Sequence, residues 1–170
     1  KNYNEALSIL NQLIENKKGN LEVYKMVMEI YKEKKHQEAY LTATKQYIQA
    51  GGKINYDSAW ALGNYAHQVQ KYDDVVHFSK ICLTLSPNNH SIYNLMGVAY
   101  YYLKKHRLSV VALKSAVTLS SGEPIYTANL ARSYESLEDR ANAIKYYKLA
   151  LKNDSQFQRA SIALRRLEGN

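Results

Sequence analysis

The sequence predicts an all-α fold in which antiparallel helix hairpins stack into a solenoid. The 170-residue chain has seven glycines and two prolines, which leaves little room for long irregular loops. It lacks alternating runs rich in Val and Thr, which would predict strands. A short polar turn followed by a helix recurs at spacings of 33 to 36 residues. A period of this length is typical of repeat proteins in which each helical unit buries its apolar face against the next.

The recurring turn locates the second helix of each predicted hairpin. The clearest copies begin 34 residues apart and read Tyr72-Asp73-Asp74-Val75, His106-Arg107-Leu108-Ser109 and Arg140-Ala141-Asn142-Ala143. Two earlier copies begin at Tyr3 and His36, which are 33 residues apart. The register therefore predicts a helix after every copy and a partner helix before most of them.

Small residues recur in the same register at the positions where paired helices would cross. They are Gly63, Gly97 and Ala131 on the first helices, and Cys82, Ala116 and Ala150 on the second helices. Two antiparallel helices approach closely only where small side chains meet, so we predict that these positions mark the crossing points. Cys82 is then expected to be buried and unreactive.

The register divides a single predicted domain, residues 1–170, into about four repeats with a half repeat before them and a cap after them. The segments are 1–20 (half repeat), 21–55 (divergent repeat), 56–89, 90–123 and 124–157 (regular repeats), and 158–170 (cap helix). The half repeat has an apolar face of Leu7, Leu10, Leu13 and Ile14 with no hairpin partner of its own. We therefore expect the natural protein to extend upstream, or this face to mediate self-association.

One stretch carries a family pattern most openly. It begins with Trp60-Ala61-Leu62-Gly63-Asn64-Tyr65 and ends at Pro87. It resembles the tetratricopeptide repeat (TPR), whose pattern is W-x2-L-G-x2-Y followed by A-x3-F, A and P, although Trp60 lies one position nearer the Leu than usual. The resemblance implies a right-handed α-solenoid that acts as a protein-interaction scaffold or adaptor, and it implies no enzymatic activity.

In such arrays the first helix of each hairpin lines a concave groove that holds a peptide or a helical segment. The groove positions implied here are Lys25, Glu29, Trp60, Asn64, His67, Asn94, Val98, Tyr101, Tyr102, Arg132 and Glu135. Asn64 and Asn94 would offer paired hydrogen bonds to the backbone of an extended peptide. Trp60 could equally be core between hairpins. Tyr101 and Tyr102 are consecutive, so at least one of them is expected to face the groove or solvent.

A basic edge suggests an alternative function. The net charge is +8, and the turns within the predicted hairpins contribute Lys34, Lys35, Lys71, Lys104, Lys105, Arg107 and Arg140. This edge could dock on an anionic membrane or organelle surface, with self-assembly, as magnetosome-associated TPR proteins do. We do not expect a nucleic-acid partner, because the charge is diluted along the chain and no nucleic-acid module is present.

The sequence also argues against several other classes of function. Its five histidines lack metal-ligand spacing, and it has no glycine-rich phosphate loop or nucleophile motif, so we expect no catalytic residues, metal or cofactor. The cations that a chaperone C-terminal carboxylate would need are missing, since those positions read Trp60, Asn64, Leu95, Ile125 and Asn129. No signal peptide opens the chain, and we expect it to be cytoplasmic, or peripheral to a membrane or organelle.

Overall fold

The computed structural model describes residues 2–169, and these residues form ten α-helices joined by short turns, with no strand among them. The contacts divide the chain into two compact units, Lys1–Ser58 and Ala59–Asn170. The repeat register predicts a single domain over residues 1–170, whereas most contacts lie within one unit or the other.

The first unit consists mainly of three helices, α1 (Tyr3–Glu15), α2 (Leu21–Glu33) and α3 (Gln37–Gln49). Leu7 and Leu10 of α1 are both buried and form one apolar cluster with Val27 and Ala43. Asparagine side chains start two of these helices, since Asn2 and Asn20 accept hydrogen bonds from the first turns of α1 and α2. The apolar face of α1, for which we expect no hairpin partner, is thus partly covered by α2 and α3.

The second unit contains most of the remaining helices, whose bounds follow the predicted turns. They are α4 (Tyr56–Gln68, which begins just before the unit does), α5 (Tyr72–Leu85), α6 (His90–Tyr102), α7 (His106–Leu119), α8 (Pro124–Glu135), α9 (Arg140–Asn153) and α10 (Gln158–Glu168). Helix α6 packs on α7 and α8 packs on α9, as the hairpin register predicts, and α10 packs on α9.

The predicted crossing points are buried, and they differ in how tightly the helices approach. Cys82, Ala116, Ala131 and Ala150 are each at most 1% exposed. At Gly97, an added Cβ would lie 2.6 Å from Leu113 Cγ. The Ser109 hydroxyl donates to the Gly97 carbonyl over 2.8 Å at this same crossing, so α6 and α7 nearly touch there.

Each internal turn in these repeats holds one residue in a left-handed backbone conformation. The residues are Lys35, Gln70, Lys104 and Glu138, with φ between 54° and 60°. The next amide then donates back to the preceding helix, as Lys105 does to the Tyr100 carbonyl over 2.9 Å. This is a helix C-terminal motif that usually favours glycine, yet no glycine is present at these positions.

Candidate functional site

A groove on the second unit could receive a ligand. It encloses a cavity of about 430 Å³, within the range of volumes typical of ligand sites. Helices α4, α6, α7, α8 and α10 contribute its walls. The lining residues are His67, Asn94, Val98, Tyr101, Tyr102, Leu113, Ile125, Asn129, Arg132, Ser133 and Arg159.

Aromatic rings and one guanidinium form the centre of this groove. The Arg132 Cζ atom lies 4.1 Å from the centroid of the Tyr101 ring and 5.7 Å from that of Tyr102. The two tyrosine rings are nearly perpendicular, and Tyr102 stacks on Tyr72 with 4.7 Å between centroids. Tyr102 is 44% exposed, whereas Tyr101 is half-buried. The consecutive tyrosines therefore both reach the groove, and one of them is largely open to solvent.

The electrostatic environment of Tyr101 reflects this arrangement. Partial burial alone would raise the pKa of the Tyr101 hydroxyl. The Ser136 hydroxyl, which lies 3.4 Å away, and the Arg132 guanidinium stabilise the phenolate more than burial disfavours it, so the pKa of Tyr101 is lowered. The groove centre thus favours negative charge.

Two amide side chains from different helices are joined across the groove. Asn129 of α8 donates from Nδ2 to Oδ1 of Asn94 on α6, over 3.0 Å. The bond uses the side-chain oxygen of Asn94 and one Nδ2 hydrogen of Asn129. The Nδ2 hydrogens of Asn94 and the side-chain oxygen of Asn129 therefore remain available to a ligand. The Asn64 amide differs, because it donates to the Trp60 carbonyl of its own helix over 2.9 Å.

The cavity includes six of the residues that the resemblance placed in a groove. These are His67, Asn94, Val98, Tyr101, Tyr102 and Arg132. Trp60 and Asn64 are half-buried and do not line it. Glu135 is directed elsewhere, since it accepts hydrogen bonds from Arg166 over 2.6 Å and from Tyr147 over 3.2 Å. It therefore joins α8 to α9 and α10.

The other two predicted groove residues belong to the first unit. Lys25 forms an exposed ion pair with Glu22 over 3.9 Å. Glu29 lines a separate cavity together with Tyr3 and Met26.

Sequence reasoning missed several residues of the groove. Asn129 lies 35 residues after Asn94, one position beyond the 34-residue register, so that register did not assign it to the groove. Arg159 belongs to α10, which was predicted only as a cap helix. The other lining residues that were not predicted for the groove are Leu113, Ile125 and Ser133. The recurrence of amides on α6 and α8 was the one signal that could have indicated Asn129.

Part of the sequence matches a known family model, and several solved structures resemble the fold. The family model for the tetratricopeptide repeat matches residues 128–157, which cover the end of α8 and all of α9. Solved TPR structures superimpose on most of the chain. This chain has the TPR fold. The all-α class and the hairpin-solenoid fold that the sequence predicts are therefore confirmed.

Three solved structures illustrate the likeness of this TPR chain to others. The first TPR of Spaghetti (RPAP3), bound to the HSP90 peptide SRMEEVD, has a TM-score of 0.64 at 21% identity, over 68% of this chain and 94% of that one. MamA from Desulfovibrio magneticus RS-1 gives 0.68 at 16%, over 88% and 84%. YrrB, a TPR protein with an unusual peptide-binding site, gives 0.66 at 15%, over 95% and 82%. No curated protein matches the sequence.

The residues predicted to form the basic edge are exposed in each unit, and some of them make internal contacts. Lys105 pairs with Asp73 over 3.7 Å, and Lys34 donates to the Asn4 side chain over 2.8 Å. Arg140 donates to the Leu167 carbonyl of α10. The other predicted members, Lys35, Lys71, Lys104 and Arg107, are exposed. Docking of this edge on an anionic surface stays a prediction.

Among residues 2–169, no group of three or more His, Cys, Asp or Glu side chains could hold a metal ion. Among the described helices, none has the length and apolar character that crossing a membrane requires. Cys82 is buried, and burial raises the pKa of its thiol to about 11, which makes it a poor nucleophile.

Proposed function

We propose that this chain is a non-catalytic interaction scaffold whose second unit binds an extended peptide segment of another protein. The observation that carries the proposal is the Asn94–Asn129 amide pair, which lies in one groove with the Tyr101–Arg132 stack. The recognition would be non-covalent, through backbone hydrogen bonds and contacts with aromatic rings.

The amide pair favours an extended segment over a helix. The Asn94 NH2 group is an unused donor and the Asn129 oxygen is an unused acceptor, so the pair can bond to one carbonyl and one N–H of a peptide backbone. One Asn129 N–H is also left over as a further donor. A helix has already satisfied these groups within itself, except at its ends. An extended strand has not, so it can use both.

The tyrosines supply contact area beside this polar pair. Tyr102 stacks on Tyr72 and borders Tyr101, so its ring is held in place before any ligand binds. Tyrosine and arginine side chains often contribute about 2 kcal/mol or more each at the centre of an interface. The peptide-binding sites named for the Spaghetti and YrrB structures are consistent with this use of the fold.

Selection from a randomised short-peptide library, displayed on phage, tests the proposal. Clones enriched on the wild-type chain would be measured against Asn94→Leu, which keeps the side-chain shape and removes the amide. We expect up to about tenfold weaker binding, because the lost hydrogen bond from Asn94 to the ligand contributes about 0.5–1.5 kcal/mol and Asn129 loses the bond that orients it. Thr118→Val, at an exposed position on α7 outside the groove, is the matched control. Equal binding by Asn94→Leu and wild type would contradict the proposal.

A further inference from the structure

We propose that the peptide segment presents an aspartate or glutamate side chain to Arg132 and Arg159 of the groove. This inference rests on the proposed function, which it makes specific by assigning the chemistry of the bound residue. It concerns a side chain within the segment and requires no free carboxyl terminus.

The charges that line the groove all have one sign. Arg132 of α8 and Arg159 of α10 contribute guanidinium groups, and no aspartate or glutamate is among the described residues that line the cavity. The nearest acidic residue along α8 is Glu135, one helical turn from Arg132. Its carboxylate accepts from Arg166 and Tyr147, so it is already engaged outside the groove. A ligand carboxylate would therefore meet uncompensated positive charge.

Arg132 is oriented for this role before a ligand binds. Its guanidinium lies over the Tyr101 ring, 4.1 Å from the centroid, so rotation of the side chain is restricted. The N–H groups of a guanidinium lie in one plane and can form a two-pronged contact with a carboxylate. Among residues 2–169, neither Arg132 nor Arg159 forms an ion pair with a carboxylate.

Two neighbouring arginines of the second unit, Arg140 and Arg166, form structural contacts instead. Arg166 pairs with Glu135 over 2.6 Å, and Arg140 donates to the Leu167 carbonyl. Both contacts hold α10 in place. Arg159, on the same helix, lines the groove instead.

The position of the two arginines beside the amide pair favours a protein ligand over other anions. Asn94 and Asn129 together offer both donors and an acceptor, as a peptide backbone requires, whereas a chain of phosphates presents acceptors only and would leave the Asn129 oxygen without a donor. An acidic residue in an extended segment would satisfy the arginines and the amides together.

Two phage-displayed short-peptide libraries provide the test. They are identical except at a central position, which is Asp or Glu in one library and Asn or Gln in the other. Equal amounts are mixed, selected on the full chain at moderate salt, and sequenced. We expect acidic clones to exceed amide clones on the order of tenfold, as charge-assisted hydrogen bonds predict. On Arg159→Gln the ratio should fall toward one, whereas Arg165→Gln, an exposed change on the same helix outside the cavity, should leave it unchanged.

The possible results separate this inference from the proposed function. If neither library yields enriched clones on the wild type, the proposed peptide groove itself is wrong, and this inference with it. If both libraries are enriched equally, peptide binding stands and the acidic preference is overturned. Displacement of the acidic clones by a short single-stranded oligonucleotide at equal charge would show a general polyanion site and would also overturn the inference.

Discussion

The guanidinium of Arg132 lies over the ring of Tyr101, with 4.1 Å between Cζ and the ring centroid. The two residues belong to successive first helices, α8 and α6, so the contact joins neighbouring repeats as well as shaping the groove. Such a contact contributes about 0.5–1 kcal/mol at an exposed site. Its greater consequence is positional, since it holds a cation beside an aromatic ring within the groove.

The first prediction concerns the ionisation of Tyr101. Burial alone would raise the pKa of this phenol. The Ser136 hydroxyl and the Arg132 guanidinium lower the pKa by more than burial raises it, so the net shift is downward. Removing the cation in Arg132→Gln should therefore move the titration of Tyr101 to higher pH. The measurement is a pH titration by NMR with ring-labelled tyrosine, with Tyr101→Phe assigning the resonance. Arg107→Gln should leave the Tyr101 titration unchanged, and an unmoved titration in Arg132→Gln would contradict the stacking geometry.

The second prediction compares two glycines at equivalent crossing points. An alanine Cβ at position 97 would lie 2.6 Å from Leu113 Cγ and 3.3 Å from the Leu113 amide nitrogen, whereas at position 63 the nearest atom is Phe78 Cβ at 3.5 Å. Gly97→Ala should lower the free energy of unfolding by about 1–3 kcal/mol, because the tightly packed core must shift. Gly63→Ala should be neutral or stabilising by up to about 1 kcal/mol, because alanine favours helix. Urea denaturation of both variants measures the difference. An equal loss of unfolding free energy in the two variants would refute the prediction.

The third prediction concerns the left-handed turn residues. Lys104 has a φ of 60°, a conformation that costs a non-glycine residue about 1 kcal/mol. Lys104→Gly should raise the free energy of unfolding by a few tenths to about 1 kcal/mol, since glycine relieves this cost. Lys105→Gly is the control, because Lys105 has a φ of −88° and would gain nothing. A lower urea midpoint for Lys104→Gly than for the wild type would count against a left-handed backbone conformation at position 104.

The repeat register was predictable because it depends on local chemistry. Residues that start and end helices act within one turn, and a crossing point requires a small side chain at a fixed position. The buried positions of Cys82, Ala116 and Ala150 follow directly from that spacing. The same reasoning placed Tyr101 and Arg132 on first helices, where they could meet.

The rest of the groove could not be predicted, because it depends on how helices pack. Arg159 reaches the cavity from α10, and its placement depends on the docking of that helix through contacts such as Arg166 with Glu135. Asn129 lies one position out of the repeat register, and only the Asn94 hydrogen bond reveals its role. Glu135 fits the groove register, but its carboxylate accepts hydrogen bonds from Tyr147 and Arg166 and does not line the cavity.

The fourth prediction concerns the single cysteine. Cys82 is 1% exposed at the crossing of its hairpin, and burial raises the pKa of its thiol to about 11. Only the thiolate reacts with disulfide reagents, and a free cysteine has a pKa of about 8.5, so the thiolate fraction near neutral pH should be lower by about two orders of magnitude. Labelling with a chromogenic disulfide should be slower than that of a free cysteine by at least this factor, and urea should accelerate it as the unit opens. Prompt labelling of the folded chain in buffer alone would show that Cys82 is accessible, and the packing at this crossing would need revision.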